Sequence, residues 1–219
     1  MKSWTTFEMA HELRSHIATQ YKESLYKTAT GLLGYPDVNE STHGSIIAAL
    51  QSPTHRKLIC VPRGCLKSSL ACVAYPIWLL LRNPDARILI DSELYTNSAT
   101  FLREIKQHLV SPKVTAIFGD FKSRCWNESE IIINQRIQKH LKEASITVGG
   151  IGTTKVGQHF DYIIHDDMNS PNNSDTPEKC EKVISHYKYN ISILEPHGTL
   201  VLIGTRYSES DCIGHVLRN

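Results

Sequence analysis

Residues 57–69 read KLICVPRGCLKSS, and the order of residue types in this segment decides the fold. The first five residues are an apolar run of the kind that forms a short buried strand. A tight loop around Gly64 follows, and Lys67 and Ser68 then open a long apolar helix. A strand, a short loop and Lys-Ser at the start of a helix are the layout of a nucleoside-triphosphate loop.

Such a loop binds phosphate through backbone N–H groups and a helix N-terminus, both of which favour negative charge. Lys67 is then expected to contact the β- and γ-phosphates of ATP, and the Ser68 hydroxyl to coordinate Mg²⁺. The regular motif has Gly directly before the Lys and six positions before it, where this chain has Leu66 and Val61. An ordinary lysine at a helix N-terminus is therefore the alternative. The predicted nucleotide-binding loop is Pro62, Arg63, Gly64, Cys65, Leu66, Lys67, Ser68 and Ser69.

Strands and helices alternate along the rest of the chain. Apolar runs predict strands at 87–91, 130–134, 145–149, 161–165 and 199–203. Helical spacing predicts helices at 7–34, 41–51, 67–82, 96–110 and 177–194, with Pro76 expected to kink the third of these. This alternation indicates an α/β fold, with a mostly parallel sheet and helices on both of its faces.

Two carboxylates follow the strand predicted at 161–165. Ligands of parallel sheets bind at the carboxyl ends of the strands, so Asp166 is expected to hold Mg²⁺ and Asp167 to act as general base on the attacking water. Adjacent side chains on a strand point to opposite faces, which lets the pair divide these roles. The alternatives are a carboxylate pair that merely begins a loop, and a metallohydrolase site that adds His165 but leaves the Lys-Ser pair unexplained.

The strand predicted at 199–203 also ends in polar residues. Gly204, Thr205 and Arg206 follow it, and a Thr at the tip of a strand beside the other two is able to sense the γ-phosphate. A plain strand-to-turn transition is the alternative for this segment.

Composition limits the class of protein. The 219 residues are 41% hydrophobic and 21% charged, which excludes collagen-like, low-complexity and mainly disordered chains. A formal net charge of +2 predicts no polyanion partner for the chain as a whole, so nucleic acid would bind through a local patch. Residues 103–143 carry eight basic and five acidic side chains, and form either such a patch or a solvated face.

Metal clusters and membrane spans have no sequence signal here. The six cysteines form no Cys-x-x-Cys pair and the eleven histidines are scattered. The longest apolar run, 71–81, is far shorter than the ~20 residues that cross a bilayer.

With these segments together, the chain resembles the ATPase domain of the large terminase subunit of tailed bacteriophages. The resemblance runs from about residue 41 to the C-terminus, and implies an N-terminal helical segment at 1–40 and a P-loop ATPase domain of the ASCE type at 41–219. It rests on VPRGCLKSS, AYPIWLLLRNPDARILIDSE, FLREIKQHL, the GIGTTKVGQHFDYIIHDD stretch and LEPHGTLVLIGTRY. We expect a chain without the C-terminal nuclease domain of full-length large terminases.

The resemblance implies a role for each matching residue. Arg63 stands where the family often has an arginine proposed to touch the γ-phosphate, so it joins Lys67 and Asp167 as a catalytic candidate. The family commonly has Glu at the position of Asp167, and this acid is one methylene shorter. Thr205, with Gly204 and Arg206, matches the motif that couples hydrolysis to movement. His43 is the choice for an adenine contact.

Contacts with DNA or a neighbouring subunit have weaker sequence signals. Many relatives have an arginine shortly before the acidic strand, where this chain has Gln158. A trans-acting cation would then come from elsewhere, with Lys155 or Arg136 nearest. Lys139 and Lys142 complete the candidate contact set.

The function implied by the resemblance is an ATP- and Mg²⁺-dependent motor that translocates double-stranded viral DNA into a procapsid. Its partners would be DNA, the portal protein and the small terminase subunit. The chain would form a homo-oligomeric ring on the capsid and a monomer when isolated, in the host cytoplasm and without a membrane. Two alternatives stay open: a helicase-like P-loop ATPase acting on nucleic acid, and a non-catalytic nucleotide- or DNA-binding module.

Overall fold

A computed structural model describes residues 6–153 and 155–218, so the first five residues of the predicted N-terminal segment, Thr154 and Asn219 lie outside the described residues. The helices are α1 (Thr6–Glu23), α2 (Leu25–Lys27), α3 (Glu40–Gln51), α4 (Tyr75–Arg82), α5 (Tyr95–Leu109), α6 (Pro112–Phe118), α7 (Pro177–Ser192) and α8 (Cys212–Arg218). The strands are β1 (Arg56–Cys60), β2 (Ile88–Ser92), β3 (Lys122–Trp126), β4 (Glu130–Ile133), β5 (Ile146–Gly150), β6 (Phe160–Asp166) and β7 (Leu194–Gly204). π-Helical turns lie at Thr28–Leu32 and Ser69–Ala74.

All seven strands form one sheet in the order β1-β7-β6-β2-β5-β4-β3. The pairs among β1, β7, β6, β2 and β5 are parallel, and the β5–β4 and β4–β3 pairs are antiparallel. The predicted mostly parallel α/β fold is therefore confirmed. The strand β7 lies between the strand that leads into the phosphate loop and the strand that ends in the two acids.

Helices cover both faces of the sheet. Alternate strand residues belong to two different cores: Ile164 and Val201 pack in the larger one with α3, α4 and α5, whereas Ile163 and Leu200 pack in the other with α7 and α8. This alternation is the period-two pattern of a strand buried on both sides. Leu25 of α2 is fully buried in the larger core, so the N-terminal helices share the core of the sheet. Of the described helices, none combines the length and the apolar character that crossing a bilayer requires.

Two predicted helices are interrupted. The helix expected at 7–34 breaks at Ser24, which has an extended backbone and caps α2 by accepting a hydrogen bond from the Lys27 N–H. The helix expected at 67–82 changes its hydrogen bonding before Pro76. The turn Ser69–Ala74 is π-helical, the Tyr75 N–H donates to the Leu70 carbonyl, and Pro76 is the second residue of α4. The kink expected at Pro76 stays a prediction.

Candidate nucleotide-binding site

The three strand ends singled out by the sequence meet at the carboxyl edge of the sheet. In the parallel registers, Cys60 of β1 pairs with Gly204 of β7, and Ile203 of β7 pairs with Asp166 of β6. The phosphate loop, the acidic pair and the predicted coupling motif are therefore neighbours. Carboxyl edges of parallel strands are where ligands of such sheets bind.

The phosphate loop takes a glycine-like conformation at two positions. Gly64 has a φ of 85° and Leu66 a φ of 47°, and helical structure begins at Lys67. Leu66 thus adopts left-handed backbone at the position where the regular motif has Gly, at a cost of roughly 1 kcal/mol or more for an L side chain. Leu66 therefore has a backbone conformation that glycine adopts more easily.

Two short contacts join this loop to the acidic strand end. Lys67 Nζ lies 2.7 Å from Asp167 Oδ2, and the Ser68 hydroxyl donates a hydrogen bond of 2.7 Å to Asp166 Oδ1. The residues in each pair are about 100 positions apart along the chain. Lys67 is only 6% exposed, so the ammonium group is held inside the site by its carboxylate partner.

Asp166 is a buried carboxyl group. Burial raises its pKa to about 6, and the nearby Asp167 adds to the rise while Ser68 and Lys67 oppose it. A buried carboxylate beside a hydroxyl is the hard-oxygen donor pair that Mg²⁺ uses when phosphate and water oxygens complete its shell. Ser68 and Asp166 therefore fit the predicted metal role, because a cation would compensate the buried charge.

Polar atoms without partners lie around Asp167. Its backbone has a φ of 41°, its N–H donates to the carbonyl of Ile203, and its Oδ1 is buried without a hydrogen-bond partner among the described residues. The hydroxyl of Thr205 is likewise buried without a hydrogen-bond partner among the described residues. A Cβ atom at Gly204 would lie 3.1 Å from Asp167 Oδ1, so only a small residue leaves the carboxylate room. A buried polar atom without a partner needs an explanation, and a catalytic role or a bound ion is one of those it can have.

Arg63, at the outer side of the loop, contacts the segment after β7. Its Nη2 donates a 2.5 Å hydrogen bond to the hydroxyl of Tyr207, and its guanidinium lies 6.0 Å from the centre of that ring. Asp211 holds the segment by accepting hydrogen bonds from the N–H groups of Tyr207 and Ser208. Neither Tyr207 nor Asp211 is among the residues predicted from the sequence, although an Asp directly before the apolar start of α8 is a helix N-cap signal.

A second buried network lies on the opposite face of β6. The Asp91 carboxylate at the end of β2 accepts hydrogen bonds of 2.6 Å from His186 and from Asn190 of α7. Asn190 Nδ2 also lies 2.9 Å from His165 Nε2, and burial lowers the pKa of His165 to about 4. His165 thus accepts from Asn190 as a neutral ring. The network attaches α7 to the strand that carries the acidic pair.

This placement argues against the metallohydrolase alternative. His165 points to α7, away from Ser68 and the phosphate loop, and its neighbour Asp166 points to the loop. Across residues 6–153 and 155–218, no group of three or more His, Cys, Asp and Glu side chains is arranged to hold a metal ion.

Two predicted contact residues are corrected by their burial. Arg136 is 3% exposed and its Nη1 donates to the carbonyl of Glu143, so it cannot reach DNA or another subunit from this position. His43 is 4% exposed, and its Nδ1 accepts a hydrogen bond from the Asn39 N–H at the start of α3, which commits the ring to its own helix and argues against an adenine contact.

The remaining contact candidates stay predictions. Lys139 and Lys142 are exposed, as a role in binding DNA requires. Lys155 and Gln158 are half-buried in the loop between β5 and β6. The Lys155 N–H donates to the Tyr189 hydroxyl, which attaches this loop to α7.

Comparisons with known proteins bear on the fold. No protein-family model and no curated protein matches the chain. Among solved structures, it is similar to a Saccharomyces cerevisiae Dbp5 variant bound to Nup159, a Gle1 variant, IP6 and ADP, with a TM-score of 0.52 and 14% identity. The match covers 89% of this chain and 48% of that chain, so this chain spans about half the length of its neighbour. The likeness shows a RecA-like P-loop NTPase fold.

Proposed function

We propose that this chain is a Mg²⁺-dependent ATPase. The observation that carries the proposal is the pair of contacts at the carboxyl edge, Lys67 with Asp167 and Ser68 with Asp166. A cation for phosphate, a hydroxyl and a buried carboxylate for a metal, and a second carboxylate with a free oxygen are the parts that phosphoryl transfer to water requires. The alternative, an ordinary lysine at a helix start, does not explain why Ser68, Asp166 and Asp167 are assembled beside it.

The proposed chemistry assigns one task to each side chain. Lys67 leaves Asp167 to contact the phosphates and stabilises the negative charge that develops on them. Asp167 then orients a water molecule and accepts its proton at a carboxylate oxygen. Ser68 and Asp166 would hold Mg²⁺, which neutralises phosphate charge when it is bound. Arg63 adds a second cation once its hydrogen bond to Tyr207 is released.

The substitution Lys67→Ala tests this assignment. We expect turnover of Mg-ATP to fall by about 10²- to 10³-fold, because a preorganised charge at the phosphates is lost. Lys182→Ala is the matched control, since Lys182 is exposed on α7 and distant in sequence from the loop. Steady-state phosphate release and circular dichroism of both variants are the measurements. ATP hydrolysis by Lys67→Ala at the wild-type rate would show that the loop has been assigned wrongly.

Within this class, we propose that the ATPase is the motor that packages double-stranded DNA into a viral procapsid. Support comes from the resemblance of five segments to large terminase ATPase domains, which extends well beyond the phosphate loop and the acidic pair. The proposal includes the portal protein and the small terminase subunit as partners, a ring of copies on the capsid, and action in the host cytoplasm. ATP-driven protection of double-stranded DNA from nuclease, with purified procapsids and portal, is the direct assay.

A helicase-like ATPase acting on nucleic acid is the second candidate. The observation that favours it is the similarity of fold to the Dbp5 chain. ATP-dependent strand displacement without a procapsid would favour this candidate over the packaging motor. ATP binding without turnover in either assay would favour a non-catalytic module, for which Leu66 and the short Asp167 side chain are the sequence argument.

A further inference from the structure

A second cavity, of about 340 Å³, lies at the opposite edge of the sheet from the phosphate loop. It is lined by Lys57 near the start of β1, by Tyr162 of β6 and Thr199 of β7, and by side chains of α4. Cys60, the last residue of β1, is three residues beyond Lys57, which is about 10 Å along a strand. The cavity is therefore distinct from the candidate nucleotide site.

Charge in this cavity is of one sign. Lys57 and Arg82 contribute two cations, His55 and His197 add positive charge when protonated, and no lining residue carries a carboxylate. A neighbouring cavity of about 440 Å³ shares Tyr162 and His197 but includes Asp161 and Glu195. Of these two cavities, only the one that contains Lys57 and Arg82 has a lining without carboxylates, and it therefore favours an anion.

Aromatic rings form part of the wall. Trp78 and Tyr75 are stacked with their ring centres 5.9 Å apart, and Tyr162 meets Tyr75 edge to face at 6.4 Å. The Arg82 guanidinium lies 4.4 Å from the centre of the Trp78 ring. Trp78 is 5% exposed, and its indole N–H has no acceptor among the described residues. This side of the cavity therefore combines aromatic rings, a guanidinium and a buried N–H donor without an acceptor.

Lys57 forms the floor of the cavity. Its Nζ donates hydrogen bonds to the carbonyls of Leu50 and Ser52 at the end of α3, and lies 5.6 Å from the centre of the Tyr75 ring. An ammonium group carries three N–H donors, and these two carbonyls use two of them. The third donor is available to a ligand.

We propose that this cavity binds a small aromatic anion, a planar ring with a phosphate-type charge, with its charge at the cations Lys57 and Arg82 and its ring against the partly exposed Tyr162 and the edge of the α4 aromatic residues. The volume is within the range of small-molecule sites, and the combination of cations with rings suits a ligand that carries both features. The proposal does not depend on ATP hydrolysis at the other edge.

Pyridoxal 5′-phosphate is a probe that carries a ring, a phosphate and an aldehyde. The Lys57 amine would add to the aldehyde with loss of water, and borohydride would then deliver a hydride to the imine carbon, leaving a stable secondary amine. Burial lowers the pKa of Lys57 to about 8, so near that pH about half of the amine is the reactive neutral form. Mass spectrometry of the digested protein locates the label.

We expect Lys57 to be labelled well ahead of the exposed Lys142, and AMP to protect it at concentrations at least tenfold below those of inorganic phosphate. Arg82→Gln should weaken labelling of Lys57 about fivefold, because one cation at the rim is lost. Arg82→Lys should restore it. Arg124→Gln, which removes an exposed charge on the far edge strand, is the matched control and should change nothing.

Three outcomes would overturn the proposal: equal labelling of Lys57 and Lys142, labelling of Lys57 that is insensitive to Arg82→Gln, and protection by phosphate equal to that by AMP. Circular dichroism of the Arg82 variants shows whether each is folded. Since Arg82 is exposed, its replacement leaves the buried floor of the cavity in place.

Discussion

At the scale of single residues, Asp166 and Asp167 are neighbours with different surroundings. Asp166 is buried against Ser68, whereas the Asp167 side chain is 35% exposed and paired with Lys67. This difference supports the division between metal binding and proton transfer that the sequence predicts.

Their amide variants should fail differently. Asp166→Asn should weaken Mg²⁺-dependent binding of an ATP analogue by roughly tenfold or more, because the metal loses an anionic partner. Asp167→Asn should still bind Mg-ATP but lose about 10²- to 10⁴-fold in single-turnover hydrolysis, because an amide cannot accept the proton of water. Binding of the analogue with and without Mg²⁺ separates the two effects.

Asp167→Glu is the control for this pair, since it introduces the acid that is commoner in the large terminases that the chain resembles. It should keep measurable hydrolysis if the pocket beside Gly204 admits another methylene. Equal loss of nucleotide binding in both amide variants would favour a joint metal site, and normal turnover by Asp167→Asn would remove that residue as the base.

The raised pKa of Asp166 makes a prediction about stability. A carboxyl group with a folded pKa of about 6 against about 3.8 favours the folded state below pH 4, and this contribution is lost as the pH rises through 6. In EDTA at pH 7.5, Asp166→Asn should therefore raise the free energy of unfolding by about 2 to 3 kcal/mol. Urea denaturation at pH 7.5 and pH 4 measures it.

Titration of His165 changes the free energy of unfolding in the opposite direction, over nearly the same pH range. Its pKa is lowered to about 4, so its contribution to stability is lost as the pH falls from about 6.5 to 4. The advantage of Asp166→Asn should disappear at pH 4, and the variant should lose stability on acidification more steeply than the parent chain. A gain of equal size at both pH values would contradict the assignment.

At the scale of elements, α7 and β6 are joined through the network centred on Asp91. Asn190→Leu should lower the free energy of unfolding by about 2 to 3 kcal/mol, because Asp91 and His165 each lose a buried hydrogen-bond donor. Asn97→Leu on the exposed face of α5 is the matched control. Equal free energies of unfolding for the two variants would show that the network contributes nothing.

The elements also show how far the sequence predicts this fold. Buried strands such as β2 and β6 are predicted within a residue or two, because continuous apolar runs report burial on both faces. The edge strand β3, with exposed Lys122 and Arg124, has no such run and is missed. The π-helical turn before α4 is missed as well, since apolar spacing does not distinguish it from an α-helix.

At the candidate site, the sequence predicts those features whose signals lie within a few neighbouring residues. The phosphate loop and Asp166 carry their signals within a few residues, and the structure brings them together as expected. The contact of Asp91 with His186 joins residues 95 positions apart, and no spacing along one sequence reveals it. The burial of Arg136 is not predictable in this way, because a basic residue in a charged segment gives no sign of its own burial.

At the scale of the whole molecule, one edge of the sheet assembles the candidate nucleotide site from β1, β7 and β6, and on the proposed function a neighbouring subunit supplies a further cation to it. An isolated chain should therefore be a slow ATPase, because a cation supplied by a neighbouring subunit is worth about 10³-fold or more in phosphoryl transfer.

Turnover per chain should rise with protein concentration, and on addition of double-stranded DNA and portal protein. Phosphate release over a hundredfold range of chain concentration, with light scattering to follow assembly, is the measurement. A high turnover that is independent of concentration, DNA and portal would mean that the single chain already holds every catalytic group.

The ion pair between Lys67 and Asp167 makes nucleotide binding an exchange of partners. Asp167 contacts the lysine as an intramolecular competitor of phosphate, with the high effective concentration that a tethered group has. A triphosphate that reaches Lys67 must displace this carboxylate, so part of its own attraction is offset by the contact it breaks. The displaced carboxylate becomes free to act as a base only when phosphate has arrived. On the proposed function, this contact is therefore self-inhibitory, and the substrate relieves the inhibition.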